Sequence, residues 1–294
     1  MKLDIILITY NQEQYIAQAV ESILMQRVDD DVQVRVIVAD DCSKDKTLEI
    51  IKSYEVKSPF PFVYLPIEDN MGHVRNYQRA FTACVGDYVA ILEGDDWWSS
   101  PIHLQIHIDF LDVHRECVLT TQHPIWYFEN EQYYSPTSTS NFNINNYKYV
   151  TLEEELTVNR IVNLSSCLIR TEAIHCLDEQ IFGCTVLDWP MYVNLSQLGL
   201  LCVLSGSSNV YRAKSSGLYA GLDNVAEKKV DEILINEIEN IFPQYACYCR
   251  NARNIIYPKS KTMIRKTIEF LLRPLVYIGN KYRQICVIYN NLKQ

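Results

Sequence analysis

The densest chemistry in the chain is Glu93-Gly94-Asp95-Asp96, three carboxylates within four residues, followed at once by Trp97-Trp98. Carboxylates set side by side repel, so such a cluster needs open water or a cation. Oxygen-only donors suit a hard divalent ion, Mg²⁺ or Mn²⁺, which usually completes its shell with substrate phosphates. The competing reading is a solvated acidic turn, because Gly and Asp are also turn residues. The run before the cluster, Tyr88-Val89-Ala90-Ile91-Leu92, reads as a buried strand. Ligands of an α/β sheet gather at the carboxyl ends of its strands, so the position of the acids matters as much as their number.

The elements that would position them alternate. Asp4 to Ile8 is an apolar strand; Thr9-Tyr10-Asn11-Gln12 turns the chain into a helix marked by Ile16, Val20 and Ile23. Val34 to Ala39 is a second strand, ending in Asp40-Asp41 before a helix from Asp45. Phe62 to Leu65 is a third, and Asn70-Met71-Gly72-His73 leads into a helix through Val74, Tyr77 and Phe81 that Gly86 is expected to end. Every strand therefore ends in polar residues, along what must be one edge of a mostly parallel sheet with helices on both faces. That coincidence favours a site over a turn. No Gly-x-Gly-x-x-Gly follows the first strand, so the dinucleotide-binding fingerprint is absent. Further on, Pro101 suits the first turn of a helix, Val118–Thr120, Ile125–Phe128 and Leu164–Arg170 read as strands, and the polar stretch 130–149 as a long loop. Asp188 can cap a helix that runs from Pro190 to Gly199. Short strands at 200–204 and 209–212 and a mobile-looking stretch at 213–223 follow, and 224–241 has the pattern of an amphipathic helix.

Composition bounds the rest. The chain has 294 residues, 48% hydrophobic and 21% charged, enough for one large α/β domain with an appendage. The boundaries read as 1–222 and 223–294. The net charge of −9 is uneven: from Arg250 onward ten Lys/Arg face one acid, whereas the remainder holds 17 basic and 35 acidic residues. An acidic body excludes a generic nucleic-acid binder. The basic, apolar tail beyond Pro258 suits either an anionic membrane surface or the acidic body. No apolar run is long enough to span a membrane and no signal peptide is evident. The ten cysteines are scattered without a Cys-x-x-Cys pair, as expected of buried free thiols in a cytoplasmic protein.

Four segments, each at a strand end and in this order, carry a resemblance: Ile8-Thr9-Tyr10-Asn11, Val38-Ala39-Asp40-Asp41 running on to Asp45, Asn70-x-Gly72-x-x-Arg75-Asn76, and Gly86 to Asp96. Over residues 3 to 212 the chain resembles the family 2 glycosyltransferases. The resemblance implies a GT-A fold with a helical C-terminal extension and transfer of a sugar from a nucleotide diphosphate donor, of UDP or dTDP type, with inversion. It implies a glycan or lipid-linked sugar as acceptor, in work such as bacterial surface polysaccharide synthesis. Thr9, Tyr10, Asn11 and Glu13 match the segment along the nucleotide, Asp40 the position that reads the base, with Asp41 beside it, and Arg75 a basic residue near the diphosphate. Asp95 and Asp96 match the metal-binding acids, Asp96 as the direct ligand, and Asp188 the general base. Glu93 stands where the family commonly has Asp, and Leu187 where an acid is frequent.

Each residue has a plainer reading too: Asp188 as a helix cap, Arg75 as a surface ion-pair partner, and Trp97, Trp98 and Trp189 as core rather than sugar-stacking rings. His73 adds only proximity. His103 and His107, four apart, could pair on a metal, but a polar helix face is the expectation. Two other functions compete. A nucleotidyltransferase would want a glycine-rich, basic loop after the first strand, which Thr9-Tyr10-Asn11-Gln12 is not. A non-catalytic sugar-nucleotide-binding module would tolerate the loss of Asp188.

Overall fold

The computed structural model describes residues 1–66, 68–135, 145–161, 163–214 and 224–257. The stretch 215–223 and the tail from Pro258, both singled out above, fall outside these residues, as do 136–144 of the long polar loop.

The alternating pattern is realised in the first hundred residues. Strand β1 (Lys2–Thr9), helix α1 (Ile16–Leu24), β2 (Gln33–Asp40), α2 (Thr47–Glu55), β3 (Phe62–Tyr64), α3 (His73–Thr82) and β4 (Tyr88–Glu93) follow in order, then a two-residue strand β5 (Trp97–Trp98). Next come α4 (His103–Val113), β6 (Cys117–Gln122), β7 (Ile125–Phe128), β8 (Tyr133–Tyr134), β9 (Tyr147–Val150) and α5 (Leu152–Thr157). The last described part holds β10 (Leu168–Arg170), α6 (Thr171–Ile174), α7 (Asp188–Leu195), β11 (Leu200–Leu204), β12 (Asn209–Ala213), α8 (Asn224–Ile241) and α9 (Ala246–Ile256). The stretch read as a loop over 130–149 thus includes β8 and the start of β9. Only the end of the run at Leu164–Arg170 is strand, since Leu164–Ser166 is a 3-10 turn.

The main sheet has the order β3-β2-β1-β4-β10-β6-β11-β9. Pairing is parallel from β3 to β4 and between β6 and β11, while β10 and β9 run against their neighbours. Central β1 and β4 are apolar at nearly every position because both faces are covered. On one face Leu3, Ile5 and Leu7 meet α1, α2 and α4; on the other Ile6, Ile8 and Ile37 meet α3, α5 and α7. Leu234, Ile235 and Ile238 of α8 and Cys249 and Ala252 of α9 join this second core. A smaller sheet, β5-β12-β7-β8, stands beside the first.

Two glycines serve packing and not the helix ends expected of them. Helix α3 stops at Thr82, and Gly86 lies where a Cβ would come 2.9 Å from the Lys2 carbonyl oxygen. Helix α7 stops at Leu195, and a Cβ on Gly199 would press on Val118 and come 3.0 Å from the Glu116 carbonyl oxygen. Asp4, buried in β1, locks the same region by accepting the Val85 and Gly86 N–H groups at 2.7 and 2.8 Å while pairing with Arg35.

Candidate active site

The loops after β1 and β2 are laced together by side chains. The Asn11 N–H donates to Ser43 Oγ (2.9 Å), and Asn11 Oδ1 accepts the Lys44 N–H (2.7 Å), with Asn11 in the left-handed region at φ 50°. Glu13 Oε2 accepts the Lys46 N–H at 3.0 Å, and the Gln12 N–H donates to Thr47 Oγ1 at 2.8 Å. Thr9 is buried and gives its hydroxyl to Gln12 Oε1. Of this segment only Tyr10, 45% exposed, presents a free surface ring. Asp40 holds Ser43 through its N–H at 2.9 Å and its hydroxyl, and lines a shallow depression with Leu48, Lys52 and Tyr64. Asp41 takes the N–H groups of Met71 and Gly72, both at 2.9 Å, and so fixes the entry to α3. Arg75 is exposed and donates to Gln78, whereas Arg79 turns inward to the carbonyls of Pro66 and Asp40.

The acids at the end of β4 stand against this edge. Gly94 is required there: a Cβ would overlap Gln12 Oε1 and Ile16 Cδ1 and reach 3.0 Å from Thr9 Oγ1. Glu93 Oε1 accepts the Tyr77 hydroxyl at 2.9 Å. Asp96 is buried, with Oδ1 accepting the Arg212 N–H and Oδ2 the Asn163 amide, both at 2.9 Å. Asp95 is more open, and its Oδ2 meets Lys214 Nζ at 2.6 Å. Burial first, then the charges of Asp96 and Asp95, pushes Glu93 up to about 8; burial and Asp95 push Asp96 up to about 7. Arg212 braces the cluster from below, with its guanidinium 4.6 Å from the Tyr15 ring centre and 4.7 Å from that of Trp97.

Asp188 opens α7 rather than capping it, since Leu187 occupies the cap position and the Asp188 carboxylate accepts the adjacent Trp189 N–H at 2.8 Å. It keeps a strip of solvent contact, yet burial, followed by the charge of Asp231, raises it to about 6. Its charge acts on Glu93, and on the hydroxyls of Tyr77 and Tyr211, where Asp96 and Glu93 also act. The acids of β4 and of α7, about ninety residues apart in the chain, are therefore brought within electrostatic reach of one another.

The remaining candidates separate from them. Trp97, Trp98 and Trp189 are all buried; Trp98 Nε1 donates to the Ser165 carbonyl and Trp189 Nε1 to that of Glu155, so they pack the walls and do not offer faces to a sugar. The expectation of a polar helix face for His103 and His107 fails. Both are buried, stacked behind Trp98, with Nδ1 atoms at 2.6 Å from Ser208 Oγ and 2.9 Å from Thr120 Oγ1. His73 lies exposed at the start of α3. Sequence reasoning missed Asn163, Arg212 and Lys214, which carry no motif of their own.

Among the described residues no three acidic, histidine or cysteine side chains form a metal cage. The donors nevertheless fit a hard divalent ion of the kind held by one or two carboxylates and completed by phosphates. The Asp95 oxygen already faces a cation, the Lys214 ammonium, which marks where positive charge is favoured.

Comparison with known proteins agrees with this geometry. A model of "Glycosyl transferase family 2" matches residues 4–177. The chain belongs to glycosyltransferase family 2. An uncharacterized Mycobacterium tuberculosis protein is 28% identical over 217 residues, 74% of this chain and 60% of its own length, so the chain spans somewhat under two thirds of that relative. TuaG of Bacillus subtilis, named for teichuronic acid biosynthesis, is 33% identical over 113 residues, 38% of this chain and 42% of its own. Among solved structures, Staphylococcus aureus TarS in complex with UDP-GlcNAc superimposes with a TM-score of 0.58 at 19% identity, over 92% of this chain and 80% of that one. The mannosyltransferase PcManGT of Pyrobaculum calidifontis, in complex with GDP-Man and Mn²⁺, gives 0.64 at 12%, over 99% and 80%. The family 2 fold seen here is thus the GT-A type expected.

Proposed function

We propose that the protein is an inverting glycosyltransferase that moves a sugar from a nucleotide diphosphate donor, of UDP or dTDP type, to a hydroxyl of a glycan or lipid-linked acceptor. The observation that carries this reading is that Glu93, Asp95 and Asp96 lie close enough to Asp188 for their charges to act on the same groups. The nucleotide would lie along the Thr9–Glu13 edge, with Tyr10 against the base and Asp40 reading it. Arg75, exposed on α3, is free to swing onto the diphosphate. Mg²⁺ or Mn²⁺, when bound, supplies positive charge against the departing phosphates. Asp95, with its more open carboxylate, would hold that ion, and Asp96, whose oxygens each accept one internal hydrogen bond and keep a second lone pair, would join it.

The bond-making step belongs to Asp188. One of its oxygens is held by the Trp189 N–H, and the other takes the proton of the acceptor hydroxyl as that oxygen bonds to the anomeric carbon. The bond from carbon to diphosphate oxygen breaks on the opposite side, which inverts the centre. Residues 1–222 would carry the reaction and 223–294 extend it, the basic tail suiting the cytoplasmic face of a membrane. Among the described residues no helix is long and apolar enough to cross one. Related proteins named for teichuronic acid synthesis make a surface polysaccharide the acceptor class of choice.

The test is incubation with UDP-, dTDP- and GDP-sugars, with and without Mn²⁺. Release of nucleoside diphosphate, lost in Asp188→Asn, is expected. Pyrophosphate release would indicate a nucleotidyltransferase. Donor binding without turnover, indifferent to Asp188→Asn, would indicate a binding module.

A further inference from the structure

Whereas Trp97, Trp98 and Trp189 are buried, the second sheet carries a row of partly exposed rings. Tyr211 of β12 is registered with Trp126 of β7, and Phe128 of β7 with Tyr133 of β8. Registered residues leave the same face of a sheet, and so do residues two apart on one strand, so all four side chains share one face. The opposite face packs Trp97, Tyr127 and Val210 into a small core. On the shared face the rings form a row. Tyr211 meets Trp126 edge-on at 4.7 Å between centres; Trp126 and Phe128 lie 6.3 Å apart at 21°, and Phe128 and Tyr133 6.3 Å apart at 23°. Tyr211, Trp126 and Phe128 are half-buried, and Tyr133 is 46% exposed.

The row has a direction. Its inner end, the Tyr211 hydroxyl, lies in the field of Asp96, Glu93, Asp95 and Asp188, and its outer end opens to solvent. It also has a polar border. Glu129 and Glu131 stand in the turn between β7 and β8, which disfavours an anionic membrane as occupant. Among the described residues the Trp126 Nε1–H has no acceptor, so a hydroxylated ligand could supply one.

We propose that this aromatic row is an acceptor platform, binding a glycan of two or more rings by stacking sugar faces on Trp126, Phe128 and Tyr133 and delivering its terminal hydroxyl past Tyr211 to Asp188. Flat aromatic faces with a polar tip suit a ligand that is apolar on its ring faces and hydroxylated at its rim. The inference rests on the transfer reading above for its last step, but the platform itself is tested by binding alone.

The full chain would be applied to an array of defined oligosaccharides, with and without UDP and Mn²⁺, and retained glycans titrated against wild type, Phe128→Ala, Tyr133→Ala and Trp126→Phe. Wild type should retain a subset of glycans. Phe128→Ala and Tyr133→Ala should each weaken that binding at least tenfold, and Trp126→Phe less, with UDP affinity by calorimetry held within twofold. Tyr133→Ala, at an exposed position, keeps the test valid if a more buried variant misfolds. Retention of no glycan by wild type, or equal retention by Phe128→Ala and Tyr133→Ala, overturns the platform. So does loss of self-association in these variants without loss of glycan, which would make the row a contact between copies. A wild type that binds glycans but no nucleotide diphosphate would instead strike the donor reading, so the two failures are distinct.

Discussion

Asp188 offers the sharpest quantitative test. An ordinary aspartate, at 3.8, is fully ionised at pH 5, whereas Asp188 is held near 6 by burial and by Asp231. A base must be ionised to accept a proton, so one unit below its pKa only about a tenth of the molecules are competent. At saturating donor, Mn²⁺ bound at the β4 acids would favour their ionised forms, and the remaining acid limb of kcat would then report Asp188 as the proposed base. Initial rates of nucleoside diphosphate release should be flat above pH 7, halve near pH 6 and fall about tenfold by pH 5. The contribution of Asp231 can be separated. Asp231→Asn removes the like charge but leaves the larger effect, burial, so the limb should move toward acid without reaching 3.8. Asp188→Asn should lower kcat by about 10² to 10⁴ at pH 7.5 with nucleotide affinity retained. Melting curves at each pH would show that the fold survives the range. A rate unchanged down to pH 4.5 in a folded protein would refute the assignment of Asp188 as base.

Three further outcomes follow from other parts of the structure. His103 and His107 are buried neutral, His107 lowered to about 3 from an ordinary 6.5, so their stabilising contribution is complete above pH 6.5 and is lost progressively as pH falls toward 3. At about 1.4 kcal/mol per pH unit, His107 should cost about 2 kcal/mol between pH 6.5 and 5, with His103 acting in the same direction, and urea midpoints for wild type and His107→Gln should show the variant losing less. Gly94→Ala should destabilise by about 1–3 kcal/mol through its overlap with Gln12 and Ile16, read as a lowered melting temperature; an unchanged value would mean the loops yield freely. Truncation after Tyr257 should abolish pelleting with anionic vesicles, and undiminished pelleting would end the membrane role of the tail.

Much of the N-terminal half was legible because its signals are local. Ile5 to Ile8 and Val89 to Leu92 are continuous apolar runs, as expected of central parallel strands, and each ends where a polar loop begins. The acids at those ends could be read as a site before any coordinates existed. What could not be read depends on partners far away in sequence. His103 and His107 look like a polar helix stripe until Trp98 and Ser208 close over them. Asp96 looks like a free ligand until Arg212 and Asn163 take its oxygens, and Asp95 looks unpaired until Lys214 arrives from 119 positions along the chain. Gly86 and Gly199 look like helix ends and are close approaches between strands and loops. The reversed strand β10 gave no sign of its direction, since three residues have no period to show.

The same distinction explains how the site is supported. The proposed nucleotide edge is local: Asn11, Glu13 and Asp45 tie neighbouring loops within the first fifty residues. The proposed base is not local. Asp188 begins a helix whose Trp189 is tied to α5 through the Glu155 carbonyl, and the preceding Thr185 is clamped by Glu237 of α8 through its N–H at 2.9 Å and its hydroxyl at 2.7 Å. Leu234, Ile235 and Ile238 then anchor α8 in the core shared with Met191 and Val193 of α7. A helix that looks from the sequence like the start of an appendage is thereby part of the frame that holds the base over the acid cluster. Contacts that fix a reacting group to within a fraction of an ångström have to come from elements packed around it. In this fold those elements are contributed after residue 150.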